Sequence, residues 1–166
     1  MSEELWALEQ LARARRLQDW MFAELRPSAP GPMLEVGAGI GTHIEDDSAA
    51  VASIVDSLAP GGELAVLMPA HPRPYGRLDR QFGHVRRYMS RRLRQLLAGA
   101  SAELVSLRNF NLLGVPGRFV AGPTARLGIS DGTLAVYESL VRAWRPLEDA
   151  LHPPFGLSLV ARAQKP

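Results

Sequence analysis

Four short apolar runs punctuate the chain: PMLEV (32–36), ELAVLMP (63–69), AELVSLR (102–108) and FGLSLVARA (155–163). Each has the length of a strand, and helix-length segments with apolar residues every three or four positions fill most of the space between them. Strands that alternate with helices bury themselves by building one sheet with helices on both faces. The expected class is therefore α/β.

The helical segments carry their own punctuation. Leu5, Leu8, Leu11, Ala12, Leu17, Trp20, Met21 and Leu25 recur at helical spacing, with Ser2 able to cap the start and Pro27 and Pro30 ending the run. Asp46 or Asp47 can cap a second helix whose inner face is Ala50, Val51, Ile54, Val55 and Leu58, and PGG (60–62) stops it. Ser90 caps a third, with Leu93, Leu96 and Leu97 inside and Gly99 at its end. The stretch 109–123 holds too many Gly and Pro residues for a regular element. Asp131 can cap a long helix with Leu134, Tyr137, Leu140, Val141, Trp144, Leu147 and Leu151 at intervals of roughly three to four residues, and Pro146 should kink or split it.

Composition excludes several classes. There are no cysteines, so no disulfide framework or thiolate metal site is available. No run of 18 consecutive apolar residues exists to span a membrane, and the start, MSEELWALEQ, is unlike a secretory signal. The expected location is cytoplasmic. The net charge of +2 hides an asymmetry: residues 1–70 carry four Arg against eleven Asp/Glu, and residues 71–166 carry fifteen Arg/Lys against six. Attraction between the halves within the fold explains that most simply; head-to-tail association or an anionic ligand would also suit it. Seven Arg between 77 and 94 have only Phe82 and Tyr88 interleaved, which argues against a nucleic-acid surface.

EVGAGIG places Gly37, Gly39 and Gly41 at alternate positions behind a strand, with Glu35 two residues ahead. Glycine permits the tight turn and lets backbone amides approach a ligand. A strand-to-helix turn without a ligand would use the same residues. MLEVGAGIGT resembles the first motif of the class I S-adenosylmethionine-dependent methyltransferases. HIEDDSAAVASIVDSLAPGGELAVLMPAHP resembles that family's segment from the end of the fourth strand through the fifth. YGRLDRQFGHVRRY and FNLLGVPG resemble motifs of a bacterial subgroup, and FGLSLVARAQKP resembles the last strand. Nearly the whole chain is covered, in family order.

The departure lies between Thr42 and His43. There the family has strands two to four, roughly 50 residues at about 30 per βαβ unit. That part supplies the acidic residue for the ribose and the residue that reads the adenine. The resemblance implies that Glu35, Gly37, Gly39 and Gly41 face the methionine end of S-adenosylmethionine, with little to hold the adenosine end. Losing two or three hydrogen bonds to charged groups, each worth about 1.5–3 kcal/mol, predicts weak binding by a monomer. No metal is expected.

The implied architecture is a truncated Rossmann-like methyltransferase fold over 1–166: an N-terminal helix (1–30), a glycine loop and core (31–69), a lid or substrate-side segment (70–130), and a C-terminal helix and strand (131–166). Its four strands take the order 1-5-7-6, with strand seven antiparallel. Strand one then becomes an apolar edge, which a homodimer or the first helix would cover.

By resemblance, 71–88 lies over the acceptor side of the pocket. His71 or His84 would be acid/base, Asp79 would orient one of them, and Tyr88 would donate a hydrogen bond to an oxyanion. Arg86 or Arg87 would hold an anion, and Tyr75, Asn109 and Asn111 would line the substrate. The competing structural roles are ion pairing for Asp79 and the Arg pair, and turn hydrogen bonding for the two Asn residues. Three functions follow. One is a repurposed enzyme of proton-transfer or cyclisation type, acting on a small molecule of secondary metabolism without methyl transfer. Another is a minimal methyltransferase with a weak or partner-completed cofactor site, and the third is a non-catalytic partner of a full-length relative.

Overall fold

The computed structural model describes residues 9, 12–28, 46–73, 75–81, 84–121 and 131–166. Three strands form one sheet: β1 (Glu63–Pro69), β2 (Glu103–Phe110) and β3 (Ser158–Gln164), in the order β1-β3-β2. β3 is antiparallel to both neighbours, pairing Val66 and Leu107 on either side of Ala161. A bulge between Leu104 and Ser106 bends β2. The three apolar runs thus lie side by side, with the last in the middle and antiparallel to the other two. The fourth run, 32–36, and the dimer expected along its edge lie outside the described residues.

β3 is buried on both sides, which its nearly unbroken apolar stretch requires. Leu159, Ala161 and Ala163 face one core, shared with Val51 and Val55 of α2 (Asp47–Ser57) and Leu93 and Leu97 of α4 (Ser90–Gly99). Val160 faces the other core, shared with Leu17 and Trp20 of α1 (Arg15–Leu25) and Val141 of α6 (Asp131–Leu151). There the Trp20 and Phe110 rings meet at 4.5 Å, tilted by 60°. Each fully buried leucine contributes on the order of 2 kcal/mol. α3 (Arg77–Gln81) and α5 (Gly114–Ala121) are short and follow β1 and β2. Among the described residues no helix is long and apolar enough to cross a membrane.

Three helix ends follow local chemistry, and the start of α4 does not. Asp46 caps α2, accepting from the N–H groups of Ser48 at 2.9 Å and Ala49 at 3.0 Å. The Lys165 ammonium donates to the carbonyls of Asp56 and Leu58 near the other end of α2. Arg162 does the same for α1 through the carbonyls of Glu24 and Arg26. Ser90, expected to cap, is instead the first helical residue of α4. Met89 precedes it in extended conformation without a side-chain cap, and packing of Leu93, Leu96 and Leu97 holds the helix.

Three further expectations need correction. The N-terminal periodicity does not give one uninterrupted helix, because the chain leaves helical geometry at Ala14 before α1 begins. The stretch 109–123 contains α5, since Pro116 falls in the helix's first turn, where a missing N–H costs nothing. α6 runs through Pro146 without being split. Pro146 and Arg142, whose carbonyl loses its helical donor, are both exposed, so water can serve that carbonyl. The inner face of α6 is Leu134, Tyr137, Val141, Trp144 and Glu148, whereas Leu140, Leu147 and Leu151 are exposed. Only one 3–4-spaced seam of a helix can meet a sheet, and the sheet took the aromatic one.

Candidate functional site

Because β1 and β2 both run antiparallel to β3, their carboxyl ends lie at the same end of the sheet. Open α/β sheets bind ligands there. The lead-in to β3 ties the two ends together: Ala70 N–H donates to Leu157 O at 2.8 Å, and Leu157 N–H donates to Asn111 O at 3.2 Å. Gly156 is in backbone contact with Phe110, since a Cβ there would meet the Phe110 carbonyl oxygen at 2.4 Å. Both strands end in a left-handed residue, His71 with φ 59° and Asn111 with φ 63°. Asn and His tolerate that conformation better than most side chains, at some cost in strain.

Asp79 anchors the loop after β1. It is 1% exposed and accepts from the Arg87 Nε at 2.6 Å, the Gly76 N–H at 2.8 Å and the Arg118 guanidinium at 3.2 Å. The His84 imidazole lies 3.7 Å away. Burial by itself would raise the carboxyl's pKa. The His84 and Arg87 side chains and the Gly76 N–H outweigh burial and hold it at about 2. Arg87 also donates to the Ala70 carbonyl at 2.8 Å, so the Asp79 cluster reaches the residue next to His71. The loop folds back as Tyr88 pairs with Ala70, and His71 N–H donates to Tyr88 O at 2.9 Å.

Arg86 is tied to a carboxylate. It donates at 3.1 Å to Asp47, a buried carboxylate in the first turn of α2. Burial raises Tyr88 to about 12, and the Asp47 carboxylate beside it acts in the same direction. Tyr88 is thus a phenol at neutral pH, a hydrogen-bond donor and not a base. Tyr75 donates to the His84 carbonyl at 3.0 Å and closes the loop. Asn111 takes the turn role: its Oδ1 accepts from Gly114 N–H at 2.9 Å and Tyr137 OH at 3.1 Å, which starts α5.

His71 Nε2 and Asn109 Oδ1, at this end, are enclosed and have no hydrogen-bond partner among the described residues. The His71 ring lies 5.8 Å from that of Phe155. Buried polar atoms are seldom left in this state, and each calls for an explanation. Glu35, Gly37, Gly39 and Gly41, the residues expected to hold a cofactor, lie outside the described residues. Among the described residues no group of three His, Cys, Asp or Glu could hold a metal ion.

Two buried charged residues at this end went unread in the sequence. Arg118 lies in the Gly- and Pro-rich stretch 109–123, where no periodicity flags it. Glu148 is 0% exposed and accepts from Asn111 N–H at 2.5 Å, Leu112 N–H at 2.9 Å and Trp144 Nε1 at 2.7 Å. Its signal was present: 134, 137, 141 and 144 continue at 3–4 spacing to 148. Comparison with protein-family models, curated proteins and solved structures finds no match.

Proposed function

We propose that this chain derives from a methyltransferase ancestor and carries out proton transfer on a small molecule, without methyl transfer, at the carboxyl ends of β1 and β2. The motif order Met33–Thr42, His43–Pro72, Tyr75–Tyr88 and Phe110–Gly117 supports the ancestry. So does the adjacency of 63–69, 158–164 and 103–110 in one sheet, which matches strands five, seven and six of a Rossmann-like order. The observation that carries the activity is His71. It is a titratable ring at the end of β1 in strained backbone, with Nε2 enclosed and unpartnered among the described residues. In this reading His71 exchanges the substrate proton, and His84, leaning on the ionised Asp79, is the second proton carrier. Asp79 and Arg87 are framework for the loop, and Tyr88 supplies a hydrogen bond.

Proton transfer is tested by deuterium incorporation from D2O into a panel of 1,3-dicarbonyl compounds, followed by NMR. The chain should accelerate exchange of at least one compound, and His71→Gln should lose about 10²-fold or more of that acceleration. No exchange above the buffer rate, or an unchanged rate in the variant, overturns the assignment. Absence of methyl transfer is tested by calorimetric titration with S-adenosylmethionine and S-adenosylhomocysteine. Neither should bind tighter than about 10 μM, roughly −7 kcal/mol. Tighter binding restores a methyltransferase.

A further inference from the structure

α6 has a second apolar seam that none of the described residues covers. Val136 is 61% exposed, Leu140 48%, Leu147 52% and Leu151 68%, and Ala143 between them is exposed as well. At roughly 100° per residue these five fall within about 80° of arc. Glu138, Arg142, Arg145 and Asp149 all lie on the far side of the helix, so the stripe has no charged side chain. A solvated face in a chain that is 22% charged would not be expected to exclude charge over four turns.

Spacing and size indicate the occupant. Positions 136, 140, 143, 147 and 151 recur at three to four residues, the spacing of a seam that meets another helix. The four outer positions are also symmetric about the point between Ala143 and Trp144, with Leu140 facing Leu147 and Val136 facing Leu151 across it. A two-fold axis through that point brings the same stripe onto itself in antiparallel orientation, with small Ala143 at the crossing, where the backbones come closest. The stripe offers roughly 500 Å² of apolar surface, at the upper end of what monomers leave exposed. Two copies together would bury about 1,000 Å², the lower bound of a specific interface. We infer that this face of α6 is a homodimer interface, in which two copies pack their α6 helices antiparallel at a shallow crossing angle.

The test uses the whole chain by analytical ultracentrifugation from about 1 to about 100 μM, where a concentration-dependent dimer is expected. Leu140→Glu/Leu147→Glu should shift the population to monomer with an unchanged circular-dichroism spectrum. Because the chain has no cysteine, Ala143→Cys alone should form an intermolecular disulfide under mild oxidation, and Ser139→Cys should form far less. A monomer across the range that fails to cross-link through Ala143→Cys overturns the inference. So does a dimer that persists in the double glutamate variant, or a monomer that sediments with anionic lipid vesicles through this face.

Discussion

Asp79 shows how one side chain decides between framework and chemistry. Two guanidinium groups and a backbone N–H grip it in a buried site, so it cannot take up a proton near neutral pH. Its carboxyl titrates at about 2 against an ordinary 3.8. A depressed carboxyl stabilises the fold above the ordinary value, and that contribution is lost as pH falls from 3.8 through about 2. Asp79→Asn should therefore unfold more easily in urea at pH 7, by about 3–5 kcal/mol, because Arg87 and Arg118 lose the buried carboxylate they share. The variant should also lose part of the stability change the parent shows between pH 4 and pH 2. Equal urea midpoints at pH 7 would show that the buried pair is not worth what its geometry implies. Glu148 solves the same problem with neutral donors: three N–H groups satisfy its oxygens, so no partner charge is needed.

At the scale of elements, local rules held where nothing competed with them. Asp46 caps α2 as its position before an apolar-periodic run implies, and Asp46→Ala should lower stability by about 1 kcal/mol in chemical denaturation, with the native spectrum kept. A loss near zero would mean that solvent serves the two N–H groups equally well. Leu93, Leu96 and Leu97 are buried as their spacing predicts. In α6 the local signal was correct but doubled. The helix has two apolar seams about 100° apart, and a periodicity count adds them into one wide face. Which seam meets the sheet depends on which side chains complement α1, Phe110 and Val160, and that information is not local. α5 was invisible because Gly and Pro are read as breakers unless the helix start is known, and here that start is set by Asn111 in left-handed backbone.

Across the whole molecule the charge asymmetry resolves inside the chain. Arg86 with Asp47, Arg108 with Glu24 and Arg162 with Glu63 each join a base of the second half to an acid of the first. The C-terminal strand makes the site's frame, since its lead-in stitches the ends of β1 and β2. Gly156→Ala tests that frame. Alanine has less conformational entropy to lose on folding. Its Cβ would still meet Phe110 backbone atoms at 2.4–2.8 Å, so the variant should be less stable by roughly 1–3 kcal/mol. A stabilised variant would mean that β2 and the β3 lead-in can separate freely. The alternation of short apolar runs with capped, amphipathic segments was enough to determine an α/β sheet with helices on both sides. Hydrophobic periodicity and capping act over a few residues and can be read along the chain. The tertiary structure alone decided that Arg118 and Arg87 share Asp79, that Glu148 reaches the end of β2, and that one seam of α6 stays bare of other described residues. Those outcomes depend on which distant surfaces fit together, and complementarity of that kind has no period.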